Sequence, residues 1–403
     1  MLAEKIKKEL AKGDEISIIN LVNHLIEFAY KSLASDIHID PTEKTVFIRF
    51  RIDGILRDMF TITKDIRPEI ISRIKVLTGL RTDEHQAAQD GRFRLEIENS
   101  GPVDIRVSIT PTYYGENAVL RLLSDKSEQF VLDIIGLSKK DKDKVAKAIR
   151  RPHGMILATG PTGSGKTTTL YTIIKALNTR EVSIITVEDP IEYAIDGINQ
   201  IQVNQRAGLT FANGLRSILR QDPNIIMVGE IRDSETANIA VNTALTGHLL
   251  LSTLHTNDAA TTLPRLLDMK IEPYLVASTV NLVIAQRLVR KICPDCKKEK
   301  KITDSEIKSL SNYLPKNHDK KLNFYYGEGC SKCSESGYRG RVGIYEILEV
   351  TDEIREAFLR KASTVEIRKL AKISGTTFMV EDGLQKAEDG ITTIEEVLKV
   401  INE

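Results

Sequence analysis

Hydrophobic and polar positions change period twice along the chain, and the changes divide it. From Lys44 to Asp53 the period is two: Val46, Ile48, Phe50 and Ile52 fall on one face, Phe47, Arg49 and Arg51 on the other. Asp53-Gly54 then turns the chain into Ile55-Leu56. Two further segments alternate. Phe93, Leu95 and Ile97 oppose Arg92, Arg94 and Glu96, and Val103, Ile105, Val107 and Ile109 oppose Asp104, Arg106 and Ser108. Ser35 to Asp40 reads as a short strand. Helical stripes precede and interrupt these strands: Ile16, Ile19, Val22, Leu25 and Ile26 after an N-cap expected at Asp14, and a second around Ile70 to Leu77. Residues 1–122 therefore predict a small α+β domain.

The composition turns polar at 123–132, with Ser124-Asp125-Lys126-Ser127-Glu128, which predicts a hinge. Beyond it, residues 133–403 read as a second domain of α/β order. A charged helix, Ser138 to Arg150, leads to the apolar run Met155 to Ala158. Leu170, Ile173, Ile174 and Leu177 then mark one face of a helix. Three more apolar runs follow, Ser183–Val187, Asn224–Val228 and His248–Leu254. Each delivers a polar cluster at its carboxyl end: Glu188-Asp189-Pro190-Ile191-Glu192, Gly229-Glu230-Ile231-Arg232-Asp233, and His255-Thr256-Asn257-Asp258. In an open parallel sheet that edge is where ligands bind.

Between the first run and its helix stands Gly160-Pro161-Thr162-Gly163-Ser164-Gly165-Lys166-Thr167, which fits G-x-x-x-x-G-K-S/T. With Thr168 these residues form the candidate nucleotide-binding set. Glycines let the backbone wrap an anion, and the helix start offers amides and a favourable dipole to phosphate. Lys166 is expected on the β/γ-phosphates of ATP and the Thr167 hydroxyl on Mg²⁺. Glu230 is assigned to Mg²⁺, through water, because Mg²⁺ keeps several waters. Glu188 is placed to orient or deprotonate the attacking water; an exchange of these two roles is the other reading. His255 is either a sensor of the γ-phosphate or a structural histidine, and Asp233 is expected to cap the helix Glu235–Leu245. Arg94 reads as part of a solvated sheet face. For Arg92 and Arg106 that reading competes with a second, in which they serve a nucleotide held by another subunit.

Net charge is +1, hydrophobic content 41% and charged content 28% in 403 residues. These totals describe a globular chain with no global footprint for nucleic acid. No apolar run approaches the ~18–20 residues of a membrane helix, and the start shows no secretion signal. The expected location is cytoplasmic, with membrane contact through a partner. Four cysteines form two pairs, Cys293-x-x-Cys296 and Cys330-x-x-Cys333. Without a secretion signal they predict tetrahedral Zn²⁺ rather than disulfides, and no thioredoxin-like setting supports a redox motif. The zinc subdomain is set at 289–345, with 297–329 bulging out and a helix start at Thr303-x-x-Glu306. Helices fill 346–403, starting at Thr351, Ser363-x-x-Glu366 and Thr392-x-x-Glu395.

Together the pieces resemble the secretion ATPases of type II secretion and type IV pilus assembly. The matching segments are Ser35-Asp36-Ile37-His38-Ile39, Gln89-Asp90-Gly91-Arg92, the phosphate loop, the three polar clusters, Leu219-Arg220-Gln221-Asp222-Pro223, His248, and Ala285-Gln286-Arg287-Leu288. Gly229, where an Asp might be expected in a Walker B strand, is usual in that family; Asn224, where the family usually has Asp, is a departure. The resemblance implies a RecA-like motor domain, a PAS-like N-terminal domain and a homo-hexamer with nucleotide at subunit interfaces. It implies that Arg92 and Arg106 act in trans and that an inner-membrane platform protein is driven to feed pilin-like subunits into a filament. The zinc element marks assembly and secretion members more than retraction motors. A further N-terminal domain is common in assembly members, and this chain starts near the position of the second. The alternatives are a retraction ATPase or a nucleic-acid translocase on the same core; neutral charge and the lack of a base-stacking motif speak against nucleic acid.

Overall fold

The computed structural model describes residues 2–98, 100–123, 133–300 and 323–402. The expected hinge beyond residue 123 and the helix start at Thr303 lie outside the described residues. The chain splits into two compact units, Met1–Lys126 and Ser127–Glu403.

The first unit carries helices α1 (Leu2–Leu10), α2 (Ile18–Lys31) and α3 (Arg67–Thr78). Its strands are β1 (Ala34–Pro41), β2 (Thr45–Ile52), β3 (Ile55–Thr63), β4 (Gln89–Ile97), β5 (Gly101–Thr112) and β6 (Gly115–Leu123). They form one sheet in the order β3-β2-β1-β6-β5-β4, antiparallel throughout. Alternation decides the faces: Ile37, Ile48, Phe50, Val103, Ile105 and Val107 point inward and pack with Leu21, Leu25 and Ile26 of α2 and Ile70 and Ile74 of α3. The cap of α2 is Ser17, whose hydroxyl accepts from the Asn20 amide, and not Asp14, which sits in a preceding 3₁₀ turn. The helix thus starts later than its apolar stripe implies. Ile19, expected in the stripe, is 52% exposed, and Leu21 is fully buried.

The second unit is built on β7 (Gly154–Thr159), β8 (Ile184–Glu188), β9 (Asn199–Gln202), β10 (Ile225–Val228), β11 (Leu249–Leu254), β12 (Val280–Ile292) and, after the short strands β13 (Lys297–Lys300) and β14 (Phe324–Gly327), β15 (Tyr338–Glu349). The main sheet runs β15-β12-β7-β11-β10-β8-β9; it is parallel except that β15 is antiparallel to β12. Both of its faces are covered. Met155 and Leu157 of β7 enter one core with α7 (Ser234–Leu245), while Ile156 and Ala158 enter the other with α5 (Lys166–Leu177). A strand buried on both sides must be apolar at every position, which is why these segments show no alternation. Helices α4 (Lys139–Ile149), α6 (Phe211–Ile218), α8 (Thr262–Asp268) and α9 (Pro273–Thr279) complete the layers. Four more follow β15: α10 (Asp352–Leu359), α11 (Thr364–Ile373), α12 (Met379–Glu388) and α13 (Ile394–Asn402). Ser363 caps α11 as its box predicts. The last helix is capped by Thr393 rather than Thr392, its hydroxyl accepting from the Glu396 amide at 3.3 Å. Among the described residues no helix is long and apolar enough to cross a membrane.

Candidate nucleotide site and metal centre

The phosphate loop joins β7 to α5. Gly160 has φ +143°, and a Cβ there would lie 2.5 Å from the Gln286 carbonyl oxygen and 2.7 Å from Ser164 Oγ. Only glycine fits, because strand β12 presses on the loop from below. The N-cap of α5 is Gly165, so no side chain competes for the first amides of the helix, which stay available to an anion. Thr167 is half-buried on the first turn and Thr168 is exposed, as are Pro161, Thr162 and Gly163. Lys166 Nζ donates to the carbonyls of Gly160 at 2.8 Å and Pro161 at 2.9 Å. Burial brings its ammonium down to about 8; the Glu230 carboxylate opposes that shift and Arg287 adds to it.

Glu230 follows β10. Its Oε2 lies 2.6 Å from Arg232 Nε and 3.4 Å from His255 Nε2. Thus Lys166, Glu230 and His255 share one edge. The hydroxyl of Thr159, the last residue of β7, fixes the neighbouring strand end: it accepts from the Thr256 amide at 2.9 Å and bonds the Thr256 hydroxyl at 2.6 Å. That clamp holds the residue after His255 against the phosphate-loop strand. Asp233 caps α7, accepting from the Thr236 amide at 2.7 Å.

Glu188 ends β8 and is 2% exposed. One of its oxygens accepts from Thr186 Oγ1 at 2.6 Å and Gln200 Nε2 at 3.1 Å, and the other from the Tyr171 hydroxyl. Burial, reinforced by the carboxylate, pushes the Tyr171 phenol well above its ordinary range, so it stays a donor. Gly229 explains itself beside Glu188. A Cβ on it would stand 3.3 Å from Glu188 Cα and 3.3 Å from the Val187 carbonyl, a tight approach that would press on the end of β8. Asn224 Oδ1 accepts from the Ser183 amide at 2.7 Å, which ties the residue before β10 to the residue before β8.

The four cysteines converge. Their sulfurs all lie within 4.8 Å of one another. Cys293–Cys330 and Cys296–Cys333 are separated by 3.9 Å and Cys330–Cys333 by 3.7 Å. A tetrahedron with Zn–S bonds of about 2.3 Å has edges of roughly 3.8 Å, so the cluster fits Zn²⁺. The amides of Cys330 and Gly337 donate to Cys333 Sγ at 3.2 and 3.3 Å. Burial opposes them, yet these bonds bring that thiol down to about 6, toward the thiolate a metal needs. Lys332 reaches Asp295 at 2.5 Å across the two cysteine turns. The segment between the pairs returns through β13 and β14, which pair antiparallel.

A model of the family described as "Type II/IV secretion system protein" matches residues 11–399. The chain belongs to this secretion family. It is 47% identical over 405 residues to the Type II secretion system ATPase E of Vibrio cholerae, across 100% of this chain and 79% of that one. It is 45% identical over 391 residues to the Type IV pilus assembly ATPase PilB of Myxococcus xanthus, across 97% of this chain and 69% of that protein. Among solved structures, the pilus retraction motor PilT with bound ADP superposes with a TM-score of 0.64 at 26% identity, covering 94% of this chain and 96% of that one. The Legionella pneumophila ATPase DotB gives 0.69 at 24% identity, covering 94% of each chain, and shows the fold. The α/β class expected from the sequence is the one observed, and secretion-family membership agrees with the resemblance carried by the motifs.

Arg92 and Arg106 face each other on β4 and β5, and Arg106 faces Arg121 on β6. Asp36 of β1 comes next, opposite Arg121, and binds its Nε at 3.0 Å. The sequence reading missed Arg121, because cross-strand register is not written in spacing. Arg94 forms a two-pronged pair with Asp104, at 3.0 and 2.8 Å. The family motif around Gln286 was also visible without a role. A buried Gln-Arg pair inside a 13-residue apolar strand is itself a signal that something polar lies opposite.

Proposed function

We propose that this secretion-family protein is a cytoplasmic, Mg²⁺-dependent ATP hydrolase. In this reading it works as a homo-hexameric motor at the inner face of the membrane. It drives assembly of a type II pseudopilus or type IV pilus through an inner-membrane platform protein. The observation that carries the hydrolase reading is the gathering of the glycine loop, Lys166, Glu230 and His255 at the carboxyl edge of one parallel sheet. Relatives at 45–47% identity whose names are secretion and pilus-assembly ATPases support the choice of motor over retraction or nucleic-acid translocation.

Residues Gly160 to Thr168 would hold the triphosphate, with Thr167 facing Mg²⁺. The ion would neutralise charge on the transferred phosphoryl group. Both oxygens of Glu188 are engaged by neighbours, whereas Glu230 meets Arg232 and His255 through Oε2 and its charge is felt by Lys166. This contrast supports half of the exchanged assignment: Glu230 would act on the attacking water, while Glu188, instead of taking Mg²⁺, would hold Tyr171 and Gln200 in place. His255, next to Glu230, would respond to the γ-phosphate. Arg92 and Arg106 stand in register beside Arg121, whose charge Asp36 meets, and this concentration of positive charge on one sheet face suits an anion. That supports Arg92 and Arg106 as groups offered to the triphosphate of another subunit.

The test compares two isosteric changes under saturating Mg²⁺–ATP. Glu230→Gln should lower kcat by about 10³ with nucleotide affinity retained, and Glu188→Gln by only about 10–10². A deeper loss at Glu188 returns the base to that residue; full turnover in both removes the hydrolase reading.

A further inference from the structure

Gln286 is the strongest unassigned feature near the loop. It is 1% exposed and stands on β12, the neighbour of the phosphate-loop strand. Its Nε2 donates to the Ser164 carbonyl at 2.7 Å. The same nitrogen lies 3.1 Å from where a Cβ on Gly165 would stand. The side chain therefore supports the floor of the loop just before Lys166. Two atoms at this contact are unsatisfied. Gln286 Oε1 and Ser164 Oγ are both buried, and neither has a hydrogen-bond partner among the described residues. Such orphans are rare in folded proteins and call for a physical reason. Here they are complementary: Oε1 can only accept, and a serine hydroxyl can donate. They also belong to two residues already joined by a hydrogen bond.

We propose that Gln286 is a positioning residue of the phosphate loop, and that the Ser164 hydroxyl donates to its Oε1 when phosphate is bound. A bond made in the bound loop and absent from the free one biases the equilibrium toward the bound form and so raises affinity. The carbonyl pin from Nε2 holds the loop against β12. This inference rests on the nucleotide-site reading above and adds a residue to it from a strand 122 positions away.

A double-mutant cycle isolates the new bond. Ser164→Ala removes the hydroxyl and keeps the backbone carbonyl pin; Gln286→Leu removes the acceptor together with the pin, a loss common to both proteins of that background and so cancelled in the cycle. Affinity for mant-ADP with Mg²⁺ is measured for the wild type, both single variants and the double variant. In parallel, Tm is measured without nucleotide. Ser164→Ala should weaken mant-ADP about fivefold in the wild-type background and leave it unchanged in the Gln286→Leu background. The Tm changes without nucleotide should add. If the two affinity losses multiply, or if the coupling shows equally in Tm without nucleotide, the inference falls. Gln286→Met serves the same cycle should the leucine variant not fold. Wild-type protein that fails to bind mant-ADP overturns the nucleotide-site reading and this inference with it, an outcome distinct from binding without coupling.

Discussion

The two large sheets place their candidate functional groups in opposite ways. The seven-stranded sheet is covered on both faces, and its inner strands β7, β8, β10 and β11 are buried at every residue. No functional group can sit on such a face, so Lys166, Glu230 and His255 gather where the strands end. Within its own unit, among the described residues, helices α2 and α3 pack on one face of the six-stranded sheet. Its other face carries Arg92, Arg106 and Arg121 side by side, set by register across three strands. A site at strand ends needs its parts in short local motifs, one per loop. A site on a sheet face needs single residues at the right register, each unremarkable in its own segment.

The largest expected effect tests the strand-end site. Lys166→Ala should lower ATP turnover by 10³ or more, to about the level of background, because in the proposed reading the ammonium would meet the charge that develops on the transferred group. Turnover that survives would break the comparison at its first term. The face site comes next. Arg106→Ala should lower turnover by about 10²–10³ while mant-ADP affinity stays within about twofold, since the arginine is assigned to a different subunit's nucleotide. Mixing it with inactive Glu230→Gln subunits should restore part of the activity. Arg94→Ala is the control, because its charge is already taken by Asp104. Equal behaviour of Arg94→Ala and Arg106→Ala would reduce the row to a solvated face.

Metal removal sharpens the contrast from a third position. Strand β12 pairs with the phosphate-loop strand at one end and runs into Cys293 at the other. Metal analysis should find one Zn²⁺ per chain. Chelation should lower Tm and expose the β13–β14 segment to protease, with a smaller effect on mant-ADP affinity than Lys166→Ala has. Fully folded, metal-free protein would contradict the zinc assignment.

What the sequence revealed follows the same division. The phosphate loop was legible because its glycines, lysine and threonine act within eight consecutive residues. The cysteine cluster was legible because each pair forms a local turn, although the approach of the pairs to within 3.9 Å comes from the antiparallel return of β13 and β14. Gln286 stood in plain sight without a role, since its partner Ser164 is far away in sequence. Arg121 was hidden for the reason that marks every face site: β6 meets β5 at a register no spacing rule fixes. Glu188 was legible as a strand-end acid, but not the saturation of its oxygens by Tyr171, Thr186 and Gln200, which depends on α5 and β9 packing beside it. Ser17 displaced Asp14 as a cap because the chain before α2 spends one more turn in a 3₁₀ bend, where its Ser17 amide is taken by Glu9 at 2.7 Å.

The smallest predicted effect concerns protons at the strand-end site. Lys166 is held at about 8 by burial, so in the nucleotide-free protein its charged form dominates below that pH and fades above it. Bound phosphates favour the ammonium, which moves its pKa upward; binding should then take up protons. Affinity for mant-ADP is expected to be flat below about pH 7 and to fall through about pH 8 to 9, with proton uptake largest near pH 8.5. Glu230→Gln should move that fall to lower pH, because the carboxylate is what opposes the burial shift. Lys166→Arg should abolish it, since a guanidinium keeps its charge throughout. A flat profile to pH 9.5 in the wild type would mean that the ammonium is not desolvated in the free loop. A fall that Glu230→Gln leaves in place would separate the acid from the lysine and reopen the choice between Glu230 and Glu188.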